Sequence, residues 1–175
     1  AARAASVLKP VVVLRGGGTG AGHRAARAHE GSAGISDSTL EGALTHPGIY
    51  RTETLQSFAG AIRALAYQPP PRGRRVAIVT NGGGVGVLAA DAATRAGLDV
   101  VRLDETTISK LSKLIANPRT ANNPIDLLGD AKPEAFRAAL RVVAECPLTD
   151  AILVVLTDQA MTDSMDVAVK ICEFA

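Results

Sequence analysis

The sequence predicts an α/β fold of parallel strands with helices on both faces, on three observations. Short β-branched apolar runs recur along the chain: PVVVL from Pro10 to Leu14, RVAIVT from Arg75 to Thr80, and AILVVL from Ala151 to Leu156. Between them lie longer stretches whose apolar residues fall three and four apart, the spacing of one helix face. Two of the runs lead into three consecutive glycines, Gly16 to Gly18 and Gly82 to Gly84, as a strand must when it turns sharply into a helix.

The elements follow in order. After the first strand and its glycines, Ser38 to Leu44 reads as a helix, with Ser36 or Asp37 as N-cap and Pro47-Gly48 as its stop. Ile49 to Arg51 is a short strand, and Thr54 to Tyr67 a helix with Leu55, Phe58, Ala59, Ile62 and Leu65 on one face. Proline can neither continue a helix nor join a central ladder, so Gln68-Pro69-Pro70-Pro71-Arg72-Gly73 breaks the pattern. This predicts a first domain at residues 1–68, a linker at 69–74 and a second domain at 75–175. The second domain opens with strand Arg75 to Thr80, turn Asn81 to Gly84, and helix Val85 to Ala96 closed by Gly97. A strand from Asp99 to Leu103, a helix from Glu105 to Ile115, a turn at Asn122-Asn123-Pro124 and a helix from Pro133 to Glu145 come next. The strand Ala151 to Leu156 and the helix Ser164 to Phe174 end the chain.

Composition narrows the function. Lys plus Arg (19) barely exceeds Asp plus Glu (17), the basic residues are scattered, and aromatics are 3%. There is neither a basic stripe nor a stacking platform for bases, which argues against nucleic acid as a partner. The longest apolar runs fall far short of the roughly 20 residues that span a bilayer, so no membrane partner is expected and a cytoplasmic location is. Cys146 and Cys172 lack CxxC spacing and read as buried or idle thiols in helices.

The two glycine turns are candidate anion cradles. A strand ending in glycines lets bare N–H groups approach an anion, and the helix that follows adds the positive end of its dipole. In the second turn the candidate phosphate ligands are Asn81, Gly82, Gly83, Gly84, Val85 and Gly86. A dinucleotide reading would place a ribose on Asp104 about twenty residues on, but Gly86 falls one place early for GxGxxG, and no Gly-Lys-Ser/Thr follows for a phosphate-binding P-loop. Among the histidines, His46 stands at a helix end. His23 and His29 are six apart, which suits no usual metal pattern, so no metal site is expected. His29-Glu30-Gly31-Ser32-Ala33-Gly34 is a small polar stretch, predicted to be an exposed loop in which a histidine has the freedom to act as a nucleophile.

Several motifs in one order carry a resemblance. They are Lys9 to Leu14, Thr19, Gly22, Ala25-Ala26, His29-x-Gly31 and Ser36-Asp37 in the first half. In the second half they are Ala66 to Pro69, Arg75 to Asn81, Gly83, Gly86 to Ala92, Asn123 to Leu127 and Gln159 to Asp163. The chain resembles NDP-forming acyl-CoA synthetases, ADP-forming acetyl-CoA synthetase among them, in the succinyl-CoA synthetase superfamily. That resemblance implies flavodoxin-like domains, the first partial and the second nearly complete but truncated at its C-terminal end. It implies a ligase that interconverts acyl-CoA, NDP and phosphate with carboxylic acid, CoA and NTP through a phosphohistidine. His29 matches the histidine that carries phosphate, and Asn81 to Gly86 match the loop at the head of a helix that holds it, a role that needs aligned donors and no competing carboxylate. CoA and ATP or ADP with Mg are then cofactors of a larger parent, which adds a CoA-binding domain and an ATP-grasp domain or subunit, takes a small acyl substrate, and admits homo-oligomers. None is expected to be held tightly by this segment. Where the family usually reads Ser-His-Thr-Gly, this chain has Ala28-His29-Glu30-Gly31. The alternatives are a nucleotide- or dinucleotide-binding module and a non-catalytic scaffold that retains the fold.

Overall fold

The computed structural model describes residues 2–30, 42 and 44–174. The chain forms two compact units, Ala1–Pro70 and Pro71–Ala175.

In the first unit the order is α1 (Ala2–Ser6), β1 (Val11–Leu14), α2 (Gly20–Glu30), β2 (Ile49–Thr52) and α3 (Leu55–Tyr67). β1 and β2 pair in parallel from Val11↔Ile49 to Leu14↔Thr52. The buried Thr52 adds a side-chain bond, donating from Oγ1 to the Val13 carbonyl at 3.2 Å. Gly17 takes φ +86°, a conformation that favours glycine and lets the chain turn from β1 toward α2. Thr19 then caps α2 by accepting the Gly22 N–H at 3.1 Å. The segment at His29 departs from the expected loop, because α2 runs through it to Glu30. Ala21, Ala25, Ala26 and Ala28, with Arg24 and Arg27, supply strong helix formers, while the two glycines are confined to the first turn. The expected helix Ser38 to Leu44 lies outside the described residues, apart from Gly42 and Leu44, which are helical. Its proposed caps Ser36 and Asp37 and the stretch Gly31 to Gly34 also lie outside them. α3 opens with a capping box, in which Thr54 accepts the Ser57 N–H and Ser57 Oγ accepts the Thr54 N–H.

The second unit is built around β3 (Arg75–Thr80), followed by α4 (Gly83–Arg95), β4 (Asp99–Val100), α5 (Glu105–Ser112), a 3-10 turn at Pro118–Thr120, β5 (Ile125–Asp126), α6 (Pro133–Ala144), β6 (Ala151–Val155) and α7 (Ser164–Phe174). Every strand pairing in it is parallel. β6 runs along one side of β3 from Val76↔Ala151 to Thr80↔Val155. Along the other side lie β4, at Arg75↔Asp99 and Val76↔Val100, and β5, at Val79↔Ile125 and Thr80↔Asp126. Both faces of β3 are covered, which explains its unbroken apolar run. Ala77 and Val79 join a core formed with Leu111 of α5, Phe136, Ala139, Leu140 and Val143 of α6, and Val167 of α7. On the opposite face Thr80 meets α4, where a Cβ added at Gly86 would approach Thr80 Cγ2 to 3.0 Å and Pro124 Cβ to 3.4 Å. A glycine at position 86 is what lets α4 seat closely on the sheet. Gly83 and Gly84, expected in the turn, form the first turn of α4 instead, which starts two residues early. Cys146 follows α6 and is buried, and Cys172 lies exposed in α7.

The stretch expected as a turn at Asn122-Asn123-Pro124 leads straight into β5, and Asn123 completes the sheet. Its Oδ1 accepts the Ile78 N–H at 2.8 Å, and its Nδ2 donates to the Val76 and Val101 carbonyls at 2.9 Å each. The side chain thus bridges the stretch of β3 between β4 and β5, where no strand residue reaches the ladder.

Two carboxylates tie the edges of this unit. Asp150, just before β6, accepts a two-pronged bond from Arg75 Nε (2.9 Å) and Nη2 (2.7 Å), and the Arg75 N–H as well. Asp104 caps α5, accepting from the Thr107 hydroxyl at 2.7 Å and the Thr107 N–H at 2.9 Å, with Cys146 Sγ at 3.3 Å. The Arg75 bonds hold the Asp150 pKa at about 2, and the Thr107 bonds hold that of Asp104 at about 2, both down from 3.8. Because each folded-state value is depressed, the stabilisation is complete above the ordinary value and is lost as pH falls through the folded one. Acid titration followed by circular dichroism should therefore show stability falling between about pH 4 and about pH 2, with a shallower fall in Asp150→Asn. A flat profile over that window would contradict the assignment.

Candidate functional site

The loops that follow β3, β5 and β6 converge at the carboxyl ends of the parallel strands, the edge where open α/β sheets bind ligands. A side-chain network stitches them together around Asn81, which is 1% exposed. Asn81 Oδ1 accepts the Thr157 N–H and the Thr157 hydroxyl, each at 2.8 Å, and its Nδ2 donates to the Thr157 carbonyl at 2.9 Å and to Thr162 Oγ1 at 3.3 Å. Gln159 Nε2 donates to the Asn81 carbonyl at 3.0 Å, and the Thr162 hydroxyl donates to the Gly129 carbonyl at 2.7 Å. The Asn81 side-chain amide is fully spent on holding the loops, and it fixes where the glycines lie.

The glycines themselves form an uncapped helix start. Gly82 is the N-cap of α4 in extended conformation, it offers no side chain, and the first turn carries no acidic residue. The Gly82 N–H is taken by Thr80 Oγ1 at 3.1 Å. The Gly86 N–H is taken by the Gly82 carbonyl at 3.0 Å, the first bond of the helix. The Gly86 N–H is thus committed within the helix, and the bare glycine lets the helix approach the sheet. Gly83, Gly84 and Val85 keep N–H groups without an acceptor among the described residues, as the first turn of a helix leaves them. The contrast with α3 and α5 is plain, since Thr54 and Asp104 cap those helices with their side chains. Three convergent donors at the positive end of a helix dipole can hold a phosphate-sized anion.

One neighbour was not anticipated. The Asp126 carboxylate stands beside this helix start, so near that a Cβ added at Gly83 would meet its Oδ2 at 2.9 Å. The adjacency of β5 to the end of β3 puts it there, a relation of register that spacing along the chain does not reveal.

The other candidates are distributed as follows. His29 is exposed in the last turn of α2. The first glycine turn lines a cleft of about 470 Å³ with Arg15, Thr19, Arg51 and Glu53. Both arginines already have interaction partners. His46 Nδ1 lies 3.1 Å from the Ser6 hydroxyl and 2.7 Å from the Pro47 carbonyl, a local structural role. Both Asp104 oxygens are occupied in the α5 cap, which leaves that carboxylate poorly placed to hold a ribose. Among the described residues no cluster of His, Cys, Asp and Glu could hold a metal ion, and no helix is long and apolar enough to cross a membrane.

Two family descriptions match parts of the chain. Residues 1–65 match the succinyl-CoA ligase like flavodoxin domain, and residues 76–175 match the Ligase-CoA domain. The chain is 36% identical over 157 residues to the acetate–CoA ligase [ADP-forming] II subunit alpha of Pyrococcus furiosus, covering 88% of this chain and 34% of that one. It is 34% identical over 161 residues to the acetate–CoA ligase [ADP-forming] I of Archaeoglobus fulgidus, covering 91% of this chain and 23% of that one. Among solved structures, the dinucleotide forming acetyl-coenzyme A synthetase 1 of Ca. Korarchaeum cryptofilum in complex with phosphate and ADP superposes with a TM-score of 0.89 at 30% identity, over 99% of this chain and 37% of that one. The chain thus spans about a third or less of the relatives it matches.

Proposed function

Because the chain belongs to the family built from the succinyl-CoA ligase like flavodoxin domain and the Ligase-CoA domain, we propose that it is the phosphoryl-relay segment of an NDP-forming acyl-CoA synthetase. In this reading residues 1–68 carry the histidine, residues 69–74 link, and residues 75–175 carry the cradle. His29 takes a phosphoryl group from an acyl phosphate and passes it to a nucleoside diphosphate, and the N–H groups of Gly83, Gly84 and Val85 bind phosphate. The observation that carries this reading is the uncapped start of α4, where three donors meet and no side chain caps the helix.

CoA, nucleotide and magnesium fit the parts of the parent outside this segment. Phosphoryl transfer to a nucleotide calls for a positioned metal and cationic groups, and a CoA-binding domain and an ATP-grasp domain or subunit would bring them. The likeness to subunits named alpha supports a partner subunit or further domains. The acyl substrate class is small carboxylic acids, and the cytoplasm is the fitting location. The same helix start could serve a nucleotide-binding module, but the capped Asp104 removes the ribose ligand that reading needs.

Titrating the 175-residue chain with inorganic phosphate tests the cradle. The amide resonances of Gly83, Gly84 and Val85 should move together and saturate, while that of Gly86, whose N–H is already bonded, should move less. Shifts confined to residues away from α4 would overturn the reading.

A further inference from the structure

We propose that Asp126 makes this cradle select anions that retain a proton, phosphate over sulfate. The inference rests on reading the start of α4 as a phosphate site, and its test separates the two.

The carboxylate is held in place. Asp126 ends β5 in register with Thr80, so it emerges at the same sheet edge as Gly82 to Val85. Its Oδ1 accepts the Leu128 N–H at 2.9 Å, an Asx turn that accompanies the left-handed φ of +68° at Leu128. Its backbone carbonyl accepts the Thr120 hydroxyl at 2.6 Å. Oδ2 is left without a hydrogen-bond partner among the described residues and lies against Gly83, at the mouth of the cradle.

A carboxylate in that position opposes any anion that brings no hydrogen of its own, by like-charge repulsion and by two acceptors facing each other. An anion with a P–OH group donates that hydrogen to Oδ2 while its remaining oxygens take the three N–H groups, and the repulsive contact becomes a charge-assisted hydrogen bond. Near neutral pH both main forms of inorganic phosphate retain at least one proton, whereas sulfate retains none. The carboxylate thus tunes the site toward free hydrogen phosphate, or a phosphoryl group that is singly protonated, and against a bare dianion.

The experiment compares sodium phosphate with sodium sulfate, at one neutral pH and equal ionic strength, on the 175-residue chain, reading the Gly83, Gly84 and Val85 amides. Phosphate should bind at least about tenfold more tightly than sulfate. In Asp126→Asn the amide oxygen can keep the Leu128 bond while the NH₂ group faces the cradle, so the ratio should collapse toward one, chiefly through a gain in sulfate affinity. Equal binding of the two anions by the wild-type chain would overturn the role of Asp126 while leaving the cradle standing, and needs no variant to be read. A preference that survives in a well-folded Asp126→Asn would overturn it as well. If neither anion moves these amides, the cradle itself is refuted and this inference falls with it.

Discussion

Under the proposed relay, replacing His29 by Asn in the full-length parent should abolish acid-labile phosphate on the protein, to below about a thousandth of the wild-type yield. Asn has an amide where imidazole has a nucleophilic nitrogen. The measurement is incorporation of labelled phosphate, released by acid and resistant to alkali. The position of His29 adds a physical requirement. It sits in the last turn of α2, at the negative end of the helix dipole, where a phosphoryl dianion is disfavoured by about 0.3–1 kcal/mol. A phosphoryl group on His29 would therefore call for a positive counterpart. Glu30 adds a negative charge next to His29 in the sequence, and Glu30→Thr should raise the yield. Undiminished labelling in His29→Asn would move the relay to another residue.

Asn123→Ala should destabilise the second unit by about 3–5 kcal/mol, from the loss of three hydrogen bonds at a point where the sheet has no strand to replace them. The Ile78 N–H and the Val101 carbonyl lose their Asn123 partner within the sheet, and leaving such groups unmade costs more than the bonds contribute when formed. Against the usual stability of a domain, 5–15 kcal/mol, this is a large fraction. Urea unfolding should show a lower midpoint at an unchanged slope. Asn122→Ala next to it should be near neutral, since Asn122 is exposed. A loss below about 1 kcal/mol at Asn123 would mean that the sheet closes without the bridge.

The sequence by itself determined the class of fold, because the burial of β3 on two faces writes itself into the chain as an unbroken apolar run, and helix periodicity is local. It also singled out the glycine turn and His29, since glycines after a strand and the ordered set of motifs are both visible without knowing contacts. It placed helix limits less well. Gly83 and Gly84 have weak helix propensity, yet docking of α4 on the sheet draws them into its first turn, and the alanines of α2 carry a helix as far as His29 and Glu30, which read as the start of a loop.

What only the tertiary structure decided is which of the marked residues are committed to bonds within the fold. Asn81 and Gly86 belong to the same motif as Gly83 to Val85, but one is consumed by Thr157 and Thr162 and the other by the contact with Thr80 and Pro124. Asp126 stands in the Asn123 to Leu127 motif, but its place beside Gly83 comes from the pairing of β5 with β3 at Thr80. Asn123 reads as a turn former until the sheet is assembled and its amide is found completing the ladder. Hydrophobic pattern is a property of neighbours along the chain, whereas hydrogen-bond satisfaction and charge proximity depend on residues tens of positions apart, and these exist only once the strands are in register.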